Sequence, residues 1–271
     1  MRGDLMNDAG PCAGLDQNML QQLQRALSAD KDELFKIVQG QTDGQLLAAL
    51  RNPLLDENHL LSLLKRRGLP EDLFAAIHAS KRLLESYKVA FALACHPETP
   101  SHIAQSLLHR FYILDLAKLC AMPAVTSDLR LTAERRIVQS IPTQPLGTKL
   151  TLARRGTAAV ADMLLREGLS PVVEVCLNNP RLKEGAVHQF ITSFQSTAET
   201  ISMVARNIRW KGRPDIRLAI LKSPRTPAIW FTMFLPSLPP QILKDLLCAP
   251  RLTAAQKELV RQALHSRRPT Q

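Results

Sequence analysis

The feature that most restricts how this chain can fold is a loop that recurs along it. Six times an apolar stretch runs through a small or polar residue into proline. The six are Leu50-Arg51-Asn52-Pro53, Ala94-Cys95-His96-Pro97, Cys120-Ala121-Met122-Pro123, Leu177-Asn178-Asn179-Pro180, Leu221-Lys222-Ser223-Pro224 and Cys248-Ala249-Pro250. The steps from proline to proline run 44, 26, 57, 44 and 26, so the pair 44, 26 occurs twice, offset by 127. Sliding residues 46–137 onto 173–264 needs no gap. It gives 15 identities in 92 positions, among them Asn52/Asn179, Arg82/Arg209, Thr99/Thr226 and three loop prolines. Proline fits the first turn of a helix, where its missing N–H would be unpaired anyway. The pattern reads as helix ends followed by helix starts, and its register reads as an internal tandem duplication.

Between the prolines the apolar residues follow a helical period. In Leu60 to Gly68 leucines lead, basic residues fill the last turn and glycine closes it. Gly156 and Gly168 are read as closing two short helices between the copies. Ile103, Ala104, Leu107, Leu108 and Tyr112 share one face, as do Leu259, Val260, Ala263 and Leu264. Aromatic residues make up only 4% of the chain and no useful alternating run appears, which argues against sandwiches and barrels. The expected fold is all-α. A short helix pair cannot bury its apolar face alone, so neighbouring pairs must stack, giving an α-solenoid of about nine or ten pairs. The expected layout is a disordered N-terminus over 1–16 and one solenoid domain over 17–265. That domain divides into an acidic cap (17–45), copy one (46–141), a connecting helix pair (142–170) and copy two (171–265). A frayed tail follows over 266–271. Within copy two, Ser196 is expected to cap a helix where copy one has Gly68-Leu69-Pro70.

The Asn-Pro loop followed by spaced apolar residues resembles leucine-rich-variant and HEAT-like repeats. Leu150 to Gly156, Pro171 to Leu182 and Arg217 to Pro227 are similar to segments of uncharacterised bacterial HEAT-like repeat proteins. The resemblance spans roughly residues 45–265 and implies a fold, with almost nothing about chemistry. Some leucine-rich-variant proteins carry an N-terminal cysteine-rich iron–sulfur module. Here that region holds only Cys12, so no cluster and no cofactor is implied.

Charge is uneven. Residues 1–45 sum to −3, residues 46–141 to +3 and residues 142–271 to +11. A basic half attracts something acidic: nucleic acid, anionic lipid or an acidic protein. Between positions 206 and 225 fall Arg206, Arg209, Lys211, Arg213, Arg217, Lys222 and Arg225, with Trp210 among them, opposed only by Asp215. Lys and Arg neutralise phosphates, and an indole stacks on a base. Arg154, Arg155 and Arg166 add to this candidate polyanion site if the stack curves suitably. Two alignments point the other way: Trp210 falls on Leu83, a core type, and Arg209 falls on Arg82, which fits bonding to helix C-terminal carbonyls.

Other chemistry is thin. No GxSxG, GxGxxG, GxxxxGK[ST] or HExxH occurs, and no catalytic residue stands out. His102 and His109 sit two helical turns apart, about 10 Å, too far for one metal ion. His96 fills the Asn52/Asn179 slot and reads as a loop or capping residue. Cys95, Cys120, Cys176 and Cys248 all precede loop prolines and read as small core residues. Five cysteines without a CxxC pair fit a reducing cytoplasm. No apolar run approaches the length of a membrane span, so no membrane insertion is expected, and Met1 to Leu15, with Asp4 and Asp8, lacks a signal-peptide core. The leading expectation is a non-enzymatic cytoplasmic scaffold binding a protein partner, with an acidic surface favoured. The alternative is nucleic-acid binding through the basic C-terminal half. A third is a HEAT-like DNA-glycosylase type of enzyme, by fold analogy alone.

Overall fold

The computed structural model describes residues 17–40 and 42–266. The expected disordered N-terminus and all but the first residue of the expected tail lie outside them. The described residues hold nineteen α-helices and no strand. In order these are α1 (Gln17–Ser28), α2 (Lys31–Gln39), α3 (Asp43–Ala49), α4 (Glu57–Leu63), α5 (Glu71–Ala79), α6 (Lys81–Leu84), α7 (Tyr87–Cys95), α8 (Ser101–Leu107), α9 (Ile113–Ala121) and α10 (Ser127–Ser140). They continue as α11 (Leu146–Arg155), α12 (Ala158–Arg166), α13 (Ser170–Leu177), α14 (Glu184–Thr192), α15 (Ala198–Arg206), α16 (Pro214–Lys222), α17 (Ala228–Phe234), α18 (Pro240–Leu247) and α19 (Ala254–His265). The fold is all-α. None of the described helices is long and apolar enough to cross a membrane. The region expected as an acidic cap begins with α1, which carries no acid; the acids are Asp30 at the N-cap of α2, Asp32 and Glu33 within α2, and Asp43 at the start of α3.

The chain forms two compact units. One comprises the residues up to Phe111 with Ala124–Leu129; the other comprises Tyr112–Pro123 with the residues from Arg130 on. In the first unit α1 packs on α3, α2 on α3 and α4, α3 on α5, and α4 on α7. In the second, α11 packs on α12 and α13, α12 on α13 and α14, α13 on α15, and α14 on α16. Helices therefore alternate between two rows in each unit. Even α10, the longest described, has only fourteen residues, a length that is marginal for an isolated helix in water. Burial between the rows supplies what propensity cannot. Leu34, Leu73, Phe74 and Leu93 are fully buried in the first unit, and Val160, Val172, Phe231 and Leu243 in the second. At about 1.5–3 kcal/mol each, such side chains carry most of the favourable free energy.

The recurring loops have a defined polar role. A helix leaves its last four carbonyls without intrahelical partners. Asn52 is buried, and its side-chain amide donates to Ala26 O (3.1 Å) and Ala29 O (3.0 Å), while Oδ1 accepts from Leu54 N (2.8 Å). Asn179 does the same at the equivalent place in the second unit: it donates to Ala153 O (2.8 Å) and Gly156 O (3.2 Å) and accepts from Arg181 N (2.8 Å). The Arg82 guanidinium holds Leu50, Asn52 and Pro53 carbonyls; Arg209 holds Asn179, Pro180 and Leu182 carbonyls. Thr99 and Thr226 each donate to a carbonyl at the end of the preceding helix, Leu93 and Ile220. His96 takes the asparagine role with a ring: Nε2 donates to Arg66 O (2.7 Å) and Nδ1 accepts from Glu98 N (3.2 Å).

Two details differ from expectation. Thr197, not Ser196, caps α15, in a reciprocal box with Thr200; Ser196 Oγ instead donates to Ile191 O and Ser193 O. A hydroxyl that bonds back to the preceding helix is unavailable to the next one. α4 stops at Leu63, so the basic residues before Gly68 lie in the turn beyond it, where Arg66 reaches across to Val38 O. Gly156, which closes α11, has an ordinary negative φ; a side chain there would meet Leu152 O at 2.5 Å and Val160 at 2.8 Å. It is required by close approach, whereas Gly68 and Gly168 sit at φ 74° and 72°.

Removing a clamp strands buried carbonyls, and this can be measured. Asn179→Ala should cost about 2–4 kcal/mol in chemical denaturation, because two acceptors lose their donor at about 1–3 kcal/mol each. Asn179→Asp should not restore stability, since a carboxylate has no amide hydrogens to give. Asn178→Ala, on the exposed neighbour, should stay within about 0.5 kcal/mol. Equal effects at 178 and 179 would refute the role.

Candidate interaction surfaces

The expected polyanion site is divided by the fold. α16 has nine residues, so its two ends are about 13 Å apart. Arg206 ends α15, and Arg209, Lys211 and Arg213 lie in the loop before α16, whereas Lys222 and Arg225 lie at and beyond its far end. Trp210 is 2 % exposed and its indole N–H donates to Leu177 O (2.9 Å). The Arg209 guanidinium covers its ring, 4.4 Å from the centroid. The expectation that Trp210 stacks on a base is therefore corrected: its ring is core. Arg209 is committed to three carbonyls, as its alignment with Arg82 anticipated. Arg225 is a second clamp, donating to Ser193 O, Phe194 O and Ser196 O. Arg217 lies 5.5 Å over the Phe234 ring and donates to Lys211 O, and Arg213 pairs with Glu184 at 3.6 Å.

What remains falls into two groups. At one end, the loops after α11, α13 and α15 are bonded in series. Asn179 reaches Ala153 and Gly156, Arg181 reaches Arg155 O, Asn207 reaches Asn178 and Arg209 reaches the 179–182 loop. Arg154 and Arg155 thus share this end with Arg206 and Lys211, beside a cleft of about 150 Å³ lined by Arg154, Val175, Asn178 and Asn179. At the opposite end, Lys222, Arg225 and Arg251 line a pocket of about 490 Å³ next to Phe194, which is 80 % exposed. Arg225 and Glu98 lie 127 positions apart, the offset at which the two loop series align, yet use opposite chemistry. Glu98 accepts from Gly68 N (2.8 Å) and Leu69 N (2.9 Å), and those two backbone bonds hold its carboxyl below the usual range.

Sequence reading had no signal for one concavity. A groove of about 880 Å³ in the first unit crosses α1, α3 and α5. Leu23, Leu27, Leu47, Ala48, Ala76 and Leu83 form its apolar lining; Arg51 and Arg82 are its charged members, and no carboxylate lines it. The small residues at 48 and 76 that leave this space look like ordinary helix formers in the sequence. The equivalent positions in the second unit carry larger or charged residues, Arg154 for Leu27 and Arg206 for Ala79, and there the cleft shrinks.

No group of three or more His, Cys, Asp or Glu that could hold a metal ion occurs among the described residues. His59 is fully buried and occupied structurally, its ring between Asp56 (2.6 Å) and Lys31 O (3.0 Å). Lys149 and Glu167 pair at 3.0 Å with both side chains largely buried, tying the start of α11 to the end of α12. Of the cysteines expected in the core, Cys120 and Cys176 are buried, Cys95 is half-buried and Cys248 is exposed, which corrects that last assignment. Burial pushes the Cys176 thiol up to about 12 and the Cys120 thiol up to about 11. The physical cause is that a thiolate loses its hydration in the core. Both stay neutral, and neutral thiols are poor nucleophiles and poor metal ligands.

These raised values carry a stability consequence. Folded Cys120 and Cys176 keep protons that an unfolded chain releases near pH 9, so stability is full below about pH 9 and falls as pH rises toward 11 and 12. A disulfide reagent at pH 8 should label Cys248 quickly and leave Cys120 and Cys176 unlabelled until denaturant is added. Cys176→Ala should flatten part of the alkaline loss; rapid native labelling of Cys176 would contradict its burial. No protein-family model, no curated protein and no solved structure matches this chain.

Proposed function

We propose that this chain is a non-enzymatic helical-repeat scaffold, an α-solenoid of HEAT-like or leucine-rich-variant-like character built by tandem duplication. Its task on this reading is to hold a protein partner. The two-row packing, the equivalent clamps at Asn52/Asn179, Arg82/Arg209 and Thr99/Thr226, and the prolines at matching steps all support it. Stacked helix pairs give a long rigid surface suited to binding. Cys120, Cys176 and Cys248 are free thiols, which suits a cytoplasmic setting.

The observation that carries the reading is the groove across α1, α3 and α5. Its volume also lies in the range of small-ligand pockets, but such pockets add several convergent polar groups. Here Arg82 is held by loop carbonyls and Arg51 is the exposed charge without a partner among the described residues. An apolar floor with a cationic rim and no carboxylate fits an amphipathic helix with an acidic flank. Leu20 and Met19, 42 % and 45 % exposed on α1, extend the apolar surface.

A photoreactive side chain at Leu27 should crosslink one protein in the native cell, and the same group at Lys36, on the other row of helices, should not. Ala48→Glu should cut the Leu27 crosslink about tenfold, the factor expected for about 1.4 kcal/mol, with the circular dichroism unchanged. Equal crosslinking at Leu27 and Lys36, or none at either, would overturn the reading.

A further inference from the structure

The second unit presents a row of cations that its fold does not use. The last turns of α11 and α15 and the loops after α11, α13 and α15 carry Arg154, Arg155, Arg181, Lys183, Arg206, Arg209, Lys211 and Arg213, all exposed. Three of them are engaged: Arg181 with Arg155 O, Arg209 with the 179–182 carbonyls, and Arg213 with Glu184. The side chains of the other five, Arg154, Arg155, Lys183, Arg206 and Lys211, have no hydrogen bond or ion pair among the described residues. The carboxylates nearby are Glu184, already paired, Glu174 one turn inside α13, and Asp215 in the first turn of α16.

The first unit supplies an internal control. The bonds of Asn52 to Ala26 and Ala29, and of Asn179 to Ala153 and Gly156, fix the register of the duplication through these loops. In that register the eight positions are Leu27, Ser28, Leu54, Asp56, Ala79, Arg82, Leu84 and Ser86. Arginine is kept at one of them, Arg82, the carbonyl clamp. The same loops thus form without the other seven cations. Complementing the helix C-terminal dipoles does not require them either.

We infer that this edge binds the phosphate backbone of a nucleic-acid duplex. Neighbouring packed helices lie about 8–10 Å apart, so three successive loops of one row set the free cations along an extended line, which matches a linear polyanion. Three of the five are arginines, whose guanidinium forks suit phosphate oxygens. Trp210, the aromatic residue of this stretch, is turned into the core, so the contact runs through phosphates and not through stacked single-stranded bases. An anionic membrane would need an apolar face beside the cations; on the 206–213 loop the exposed large apolar side chain is Ile208.

The test is binding of the full chain to fluorescent 20-base-pair DNA and RNA duplexes across a salt series. Five free cations predict a slope of log affinity against log salt near −4.5 for DNA, which is about a 500-fold loss between 50 and 200 mM salt. Arg154→Gln, Arg155→Gln, Arg206→Gln and Lys211→Gln together should bring the slope to about −1, and Lys211→Gln alone should reduce it by about 0.9. Lys222→Gln with Arg251→Gln, at the opposite end of α16, should leave the slope unchanged. Circular dichroism and melting of each variant distinguish lost binding from lost folding. The proposal is overturned if duplexes do not bind at 50 mM salt. It is equally overturned if both sets of changes lower the slope alike, or if vesicles containing anionic lipid bind through these four residues and duplexes do not. The groove in the first unit is untouched by these changes, so its partner is tested separately.

Discussion

The bond on which the rest of this structure depends is a side-chain donor reaching back to the open carbonyls of an earlier loop, one helix pair before it in the chain. Short helices end often, and each end leaves carbonyls that neither the helix nor a strand can satisfy. Hydrophobic burial holds the rows together but has no direction. The clamps supply direction: Asn52, Asn179, Arg82, Arg209, Arg225 and Gln256 each fix one hairpin at a set height on its predecessor. Leaving such carbonyls buried without a donor would cost more than the net gain of the bonds themselves.

The slot matters more than the residue that fills it. His96 replaces an asparagine and keeps both kinds of bond, one given to an earlier loop and one accepted just ahead. Gln256 holds the Ser223, Pro224 and Thr226 carbonyls much as Arg82 holds those of Leu50, Asn52 and Pro53. Glu98 and Arg225 share a position and serve opposite backbone groups, amides in one case and carbonyls in the other. A loop offers both kinds of group, so either charge can anchor there. This tolerance explains how 15 identities in 92 positions accompany a shared local geometry.

It also separates the polar residues that build the molecule from those free to act on something else. Arginine is ambiguous in a basic stretch, because a guanidinium serves a carbonyl as readily as a phosphate. Once Arg209, Arg225 and Arg217 are committed within the fold, the surplus charge lies around three loops at one end of the second unit. The first unit, with leucine and alanine at equivalent places, carries an apolar groove instead. One local architecture thus bears two unlike surfaces, because the clamps leave the neighbouring side chains free to differ.

The sequence alone determined the helical class, because apolar residues at a period near 3.6 and prolines at recurring steps leave no room for strands. It marked some helix ends, since proline and glycine act on the backbone locally: Gly156 and Gly168 follow α11 and α12 as read, whereas α4 stops short of Gly68. It also foretold the carbonyl role of Arg209 from Arg82, and the core position of Cys176 from its place at a helix end. Only the tertiary structure decided the surfaces. Lys211 and Lys222 belong to one basic stretch of sequence, yet α16 puts them at opposite ends. Trp210 looks like part of a basic binding stretch until the space left under α13 and α15 takes it in. The groove exists because Ala48 and Ala76 are small where two other helices happen to face them. Helix class and helix ends are set by neighbours in sequence; exposure, grooves and charge geometry are set by neighbours in space, which no local pattern encodes.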